Sequence, residues 1–87
     1  MDITGDNKHT IIATVILEAL GGAENIVFID YCSTRLRLEL KDSTITDDKK
    51  IKSVTSGLLK PTKTSIQIIV EPTVEFVANE LKRLTGI

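Results

Sequence analysis

The run Tyr31-Cys32-Ser33-Thr34-Arg35-Leu36-Arg37-Leu38 places the chain's single cysteine beside two small hydroxylated residues and two arginines. A thiolate is a far stronger nucleophile than a thiol, and neighbouring guanidinium groups favour the charged form. The same two arginines can hold a dianion such as phosphate, because their planar forks match its oxygens. On composition alone, an isolated cysteine is more often a small buried hydrophobe. A packing role, however, gives no reason for the flanking Ser33, Thr34, Arg35 and Arg37.

The elements that must position these residues follow from periodicity. Apolar residues at Ile11, Ile12, Val15, Ile16, Ala19 and Leu20 predict an amphipathic helix over residues 8–20, with Lys8, Thr14 and Glu18 solvated and Gly21-Gly22 ending it. Residues 25–31 and 34–40 read as two strands paired in a hairpin. In the second, Leu36, Leu38 and Leu40 face the core while Arg35, Arg37 and Glu39 face away. Cys32 and Ser33 then fall at the hairpin tip, where the backbone N–H groups from Cys32 to Thr34 can cradle an anion.

Further along, Thr46 is expected to cap a short helix with Asp47 and Asp48 in its first turn. Ile51 and Val54 form its buried side and Gly57 ends it. Leu58-Leu59-Lys60 reads as a third strand, Pro61-Thr62-Lys63-Thr64 as a turn, and residues 65–70 as a β-branched fourth strand. Pro72 stops that strand, and Thr73 caps a last helix with its stripe at Val74, Val77, Leu81 and Leu84. The order α-β-β-α-β-β-α, with short connections, predicts an α+β two-layer sandwich. Three helices cover one face of a four-stranded, mainly antiparallel sheet, and Arg35 and Arg37 stand on its open face.

Composition narrows what such a domain can do. Its 87 residues suffice for one domain with a modest core, but not for a deep enclosed site. One cysteine excludes an internal disulfide and any dithiol redox pair, which fits a reducing compartment. A net charge of −1 and only three aromatic residues argue against nucleic-acid binding. His9 is the sole histidine, so neither a metal cluster nor a Ser33-centred hydrolytic triad can be built around it, and it reads as a surface residue. Lys49, Lys50 and Lys52 read as a solvated helix face. Residues 1–7 read as a polar lead-in, and the chain by itself is expected to be soluble and cytoplasmic.

The glycine pair Gly21-Gly22, followed by Glu24-Asn25-Ile26 and then by Cys32-Ser33-Thr34-Arg35-Leu36-Arg37, resembles the enzyme IIB domain of the sugar phosphotransferase system, in its glucose/glucoside superfamily. Lys41-Asp42 and Ile66-Gln67-Ile68-Ile69 fit the same pattern. The resemblance runs from Ile16 to Leu84, and it implies that residues 1–87 form a single enzyme IIB domain. It implies further that Cys32 takes a phosphoryl group from a phosphohistidine of a IIA domain and passes it to a sugar held by a membrane IIC domain. Arg35 and Arg37 would then serve chiefly the second transfer, and Ser33 and Thr34 would help hold the phosphate. No metal or cofactor is expected. Asp30 either orients one of the arginines or is an exposed carboxylate at a strand end. The expected location is the cytoplasmic side of a membrane, tethered to or fused with the permease. Residues 60–65 and Glu71 depart from the family, which commonly has glycines there. The alternative reading is a regulatory or docking module of the same fold in which Cys32 does not turn over; the retained Cys32, Arg35 and Arg37 argue against it.

Overall fold

A computed structural model of the chain describes residues 4–70 and 73–87. The elements run α1 (Thr4–Ala19), β1 (Ile26–Tyr31), β2 (Arg35–Leu40), α2 (Asp48–Lys52), β3 (Gly57–Thr62), β4 (Ser65–Ile69) and α3 (Val74–Thr85), with single 3-10 turns at Ala23–Asn25 and Ser43–Ile45. The four strands form one antiparallel sheet in the order β1-β2-β4-β3. This is the expected α+β architecture. It makes β2, which carries both arginines, a central strand.

The alternation read in β2 holds: Leu36, Leu38 and Leu40 are buried, while Arg37 and Glu39 are exposed and Arg35 is half-buried. Leu36 joins Ile66 and Ile68 of β4, Ile16 of α1 and Leu20 directly after it, and Val77 and Leu81 of α3 in one core. At about 25 cal/mol per Å² of apolar surface buried, this layer is the main force holding the hairpin against the helices. The face bearing Arg35 and Arg37 carries none of it.

Several local expectations are corrected. Helix α1 starts at Thr4, so the lead-in is helical from there on, and residues 1–3 of it lie outside the described residues. Ala13 is fully buried while Ile11 is 57% exposed, because α3 packs on the Ala13 side, where a small residue allows close approach. The cap of α2 is Asp47, whose carboxylate accepts from the Lys50 N–H at 3.2 Å; Thr46 instead donates to Asp48 at 2.8 Å. That helix ends at Lys52, and Gly57 opens β3. Thr73 precedes α3 as expected, but its side chain makes no capping bond, and Leu84 is only partly covered. The expected strand stop at Pro72 lies outside the described residues. His9 is half-buried, with its ring stacked on Phe76 at a centroid distance of 5.0 Å.

Strand β3 continues through Pro61 and Thr62, leaving only Lys63 and Thr64 as the turn. Proline fits there because β3 is an edge strand whose register shifts between Leu59 and Thr62, so its missing N–H costs no ladder bond. A second shift, between Ile26 and Phe28 of β1, leaves Val27 and Phe28 both exposed. Among the described residues, no helix is long and apolar enough to cross a membrane.

Candidate active site

Tyr31 pairs with Leu36 at the end of the β1–β2 ladder, and the Cys32 N–H donates to the Arg35 carbonyl at 2.9 Å. The hairpin therefore turns through Ser33 and Thr34 alone. A turn this tight lifts Cys32 to the end of the sheet, where it is exposed. With its own N–H spent on closing the turn, Cys32 can meet only the N–H groups that follow it.

Those groups hold the sulfur. The Cys32 thiol lies below its ordinary value, first because the Thr34 backbone N–H donates to it and next because that of Arg35 does. Partial desolvation opposes the shift; the Thr34 hydroxyl and the charge of Arg37 add to it. Hydrogen bonds to a charged form stabilise that form, so the turn favours the thiolate more than an isolated cysteine does. For the sulfur itself, the leading backbone donors are those of Thr34 and Arg35. Backbone donors, rather than the arginines, lead. Ser33 is exposed at the tip and contributes nothing to this shift.

The two arginines lie on the same open face but are differently engaged. Arg35 Nη1 donates to Gln67 Oε1 at 2.8 Å, whereas the charge of Arg37 is the least of the effects that lower the Cys32 thiol. Arg37 also lines a shallow groove of about 340 Å³ with Asp30, Gln67, Phe28, Pro61 and Ser65. The departing turn region thus contributes two of the groove's walls. Asp30 stands opposite Arg37 in the ladder, but its carboxylate accepts from the Tyr31 N–H at 2.8 Å. No ion pair between Asp30 and either arginine forms among the described residues.

Residue type alone does not mark Gln67 as a site residue. Its signal was a polar residue alternating with Ile66 and Ile68 on β4. Only the β2–β4 register, which sets it opposite Arg37, places it on the arginine face.

At the base of the hairpin, Asn25 is 6% exposed and fully bonded. Its amide nitrogen donates to the carbonyls of Leu20 at 2.8 Å and Asp42 at 2.9 Å, and its oxygen accepts from the Asp42 N–H at 3.0 Å. The bend into it requires glycine. Gly21 and Gly22 hold φ of 96° and 87°, and a Cβ on Gly21 would stand 3.0 Å from Ile45 Cδ1.

Fold and site together define a small α+β domain that displays a stabilised thiol at the end of a sheet instead of enclosing it. Comparison with known proteins bears on the fold and the family. A family profile described as phosphotransferase system, EIIB, matches residues 14–47. A crystal structure of one domain of the PTS system IIabc component from Clostridium difficile superimposes with a TM-score of 0.82. It is 31% identical, and the match covers 93% of this chain and 86% of that one. The N-acetylglucosamine-specific EIICB component of Bacillus subtilis is 44% identical over 69 residues, covering 78% of this chain and 15% of that protein. The glucose-specific EIIBCA component of Corynebacterium glutamicum is 35% identical over 82 residues, covering 92% of this chain and 12% of that protein. The chain belongs to the EIIB family of the phosphotransferase system, in its glucose superfamily. It spans less than a fifth of the length of these multidomain relatives.

Proposed function

We propose that this domain works in sugar phosphotransfer as a phosphocysteine carrier, taking a phosphoryl group from a IIA phosphohistidine and giving it to a sugar bound by a membrane IIC domain. The observation that carries the reading is the exposed Cys32 at the tip of the hairpin that bears Arg35 and Arg37, its thiol lowered chiefly by the backbone N–H groups of Thr34 and Arg35. In the first step the thiolate attacks phosphorus; the S–P bond forms as the P–N bond breaks, and the imidazole leaves. In the second, the sugar hydroxyl attacks the same phosphorus, the O–P bond forms, and Cys32 leaves as a thiolate. The proton of the hydroxyl passes to solvent or to a base on the acceptor side.

One cradle suits both steps. Donors that stabilise the attacking thiolate also stabilise it as a leaving group, so the carrier is balanced between its two partners. Phosphoryl transfer needs in-line positioning and charge stabilisation on the equatorial oxygens, and an exposed hairpin tip lets a donor and later an acceptor approach in line. Arg37, and Arg35 once drawn to the phosphate, supply the positive charge. The sugar is chosen by the IIC domain. The relatives are fused to such domains, which supports a domain tethered to a permease at the cytoplasmic face.

Delivery separates a carrier from a docking module. The chain is charged with labelled phosphate through IIA and then added to membranes that hold a IIC domain lacking its own IIB domain, with the matching sugar. The carrier reading expects label to move from protein to sugar in the wild type and to move far more slowly from Arg37→Lys. Label that enters the domain but reaches no sugar with any cognate IIC would leave only the docking role.

A further inference from the structure

Arg35 is the arginine nearest Cys32 in the chain, and its own carbonyl and N–H serve the cysteine. Its side chain nevertheless turns away. Nη1 donates to Gln67 Oε1 at 2.8 Å, and Gln67 lies opposite Arg37, one diagonal step down the sheet from the turn. Diagonal neighbours on one sheet face are within reach of long side chains, and here the reach is spent in the direction opposite to the thiol. Of the two guanidinium groups, only Arg37's is among the causes that lower the thiol, and it is the least of them.

We propose that Gln67 is a positioning residue that holds Arg35 back from Cys32 while the thiol is empty and yields it once a phosphoryl dianion stands there. The phosphoryl half of this rests on the carrier reading above; the holding half rests on the geometry alone. A neutral carboxamide is a modest acceptor, and a bare thiolate already has two N–H donors and a hydroxyl. A phosphoryl group brings three oxygens and a second charge, and charge-assisted bonds to guanidinium are about twice as strong as neutral ones. The exchange therefore favours Gln67 before phosphorylation and the phosphate after it. Holding Arg35 back also keeps the thiolate reactive, because nucleophilicity falls as the thiol's pKa is driven down.

The charged groups around Cys32 are Asp30 on β1, Arg35 and Arg37 on β2, and Lys82 of α3, which lies over the Tyr31 ring at 6.0 Å. An apolar substitution at Gln67 keeps all four residues and adds no charge. The test is a titration of Cys32 in the whole chain, read as the pH dependence of iodoacetamide alkylation, for wild type, Gln67→Leu, Arg35→Ala and the double variant. Release of Arg35 is expected to lower the apparent thiol pKa in Gln67→Leu by about half a unit. The double variant should titrate like Arg35→Ala alone. Gln67→Met, which likewise offers Arg35 no carboxamide acceptor and adds no charge, should lower the thiol in the same way. It also serves if Gln67→Leu folds poorly. An unchanged or raised value in Gln67→Leu, or the same lowering without Arg35, overturns the holding role.

Phosphorus NMR titration of the phosphorylated chain reads the release. Arg35→Ala should raise the second pKa of the S-phosphate, and Gln67→Leu should not. A wild-type chain that takes no phosphate overturns the carrier reading and the release step together. A failed thiol titration on a chain that does take phosphate overturns the Gln67 inference alone.

Discussion

Replacing Asn25 with alanine should unfold this domain at markedly lower denaturant while leaving the chemistry of Cys32 intact. Asn25 makes three side-chain hydrogen bonds of 2.8 to 3.0 Å, and its backbone carbonyl accepts from the Lys41 N–H at 2.9 Å. It thereby ties the carboxyl end of α1 to the segment leaving β2, across the base of the hairpin that carries Cys32. Each lost bond costs about 1 kcal/mol net, and more where the abandoned partner stays buried, so the three together come to roughly 3 kcal/mol. Against a typical domain stability of about 5–15 kcal/mol this is a large fraction. It corresponds to a fall in melting temperature on the order of 15 °C for a chain of this size.

With no tryptophan in the chain, the assay is urea unfolding followed by far-UV circular dichroism, at neutral pH, with the slope of the transition checked for constancy. Asn25→Asp sharpens the test. A carboxylate cannot donate to the Leu20 and Asp42 carbonyls and places charge against them, so it should cost more than alanine despite its matching shape. A loss below about 1 kcal/mol for both variants, with unchanged slopes, would refute the view that this side chain clamps the hairpin base.

The thiol cradle and the acid response give two more tests. Thr34→Val removes the hydroxyl but keeps both N–H donors, so the apparent thiol pKa should rise slightly. Thr34→Pro, which deletes the leading donor, should raise it further; iodoacetamide alkylation rates against pH report both. Glu80 is held below the usual carboxylate range first by Arg83, whose guanidinium lies at 2.6 Å, and next by the Thr10 hydroxyl at 2.7 Å. A depressed carboxylate stabilises the fold above its unfolded pKa and loses that contribution as pH falls through its folded value. The urea midpoints of wild type and Glu80→Gln should therefore differ most near neutrality and converge in acid.

The strand carrying the arginines was plain in the sequence because Leu36, Leu38 and Leu40 alternate without interruption. Their burial fixes the outward direction of Arg35 and Arg37. The hairpin tip followed from the shortness of the gap between the two strands. Other features depend on choices that local sequence leaves balanced. Thr46 and Asp47 are adjacent candidate caps, decided by which reaches the Lys50 N–H. Pro61 looks like a turn residue until β3 is known to be an edge strand with a shifted register. The side of α1 that meets α3 is set by packing, which buries the small Ala13 and leaves Ile11 in water.

At the site, residue types drew attention to two guanidinium charges, yet the backbone N–H groups of Thr34 and Arg35 dominate the sulfur's environment. Main-chain donors leave no mark on residue type. Gln67 stayed hidden for a related reason: its partnership with Arg35 crosses from β2 to β4, over thirty positions of sequence, and exists only in the folded register.

Phosphorylation of the chain from phosphoenolpyruvate, through the general phosphotransferase proteins and IIA, followed by mapping of the modified residue, decides whether Cys32 carries the phosphoryl group. The carrier account predicts one iodine-sensitive S-phosphate on Cys32 and none on Cys32→Ser. Label that persists in the serine variant, or a wild-type chain that stays unlabelled beside a cognate IIA, would contradict it.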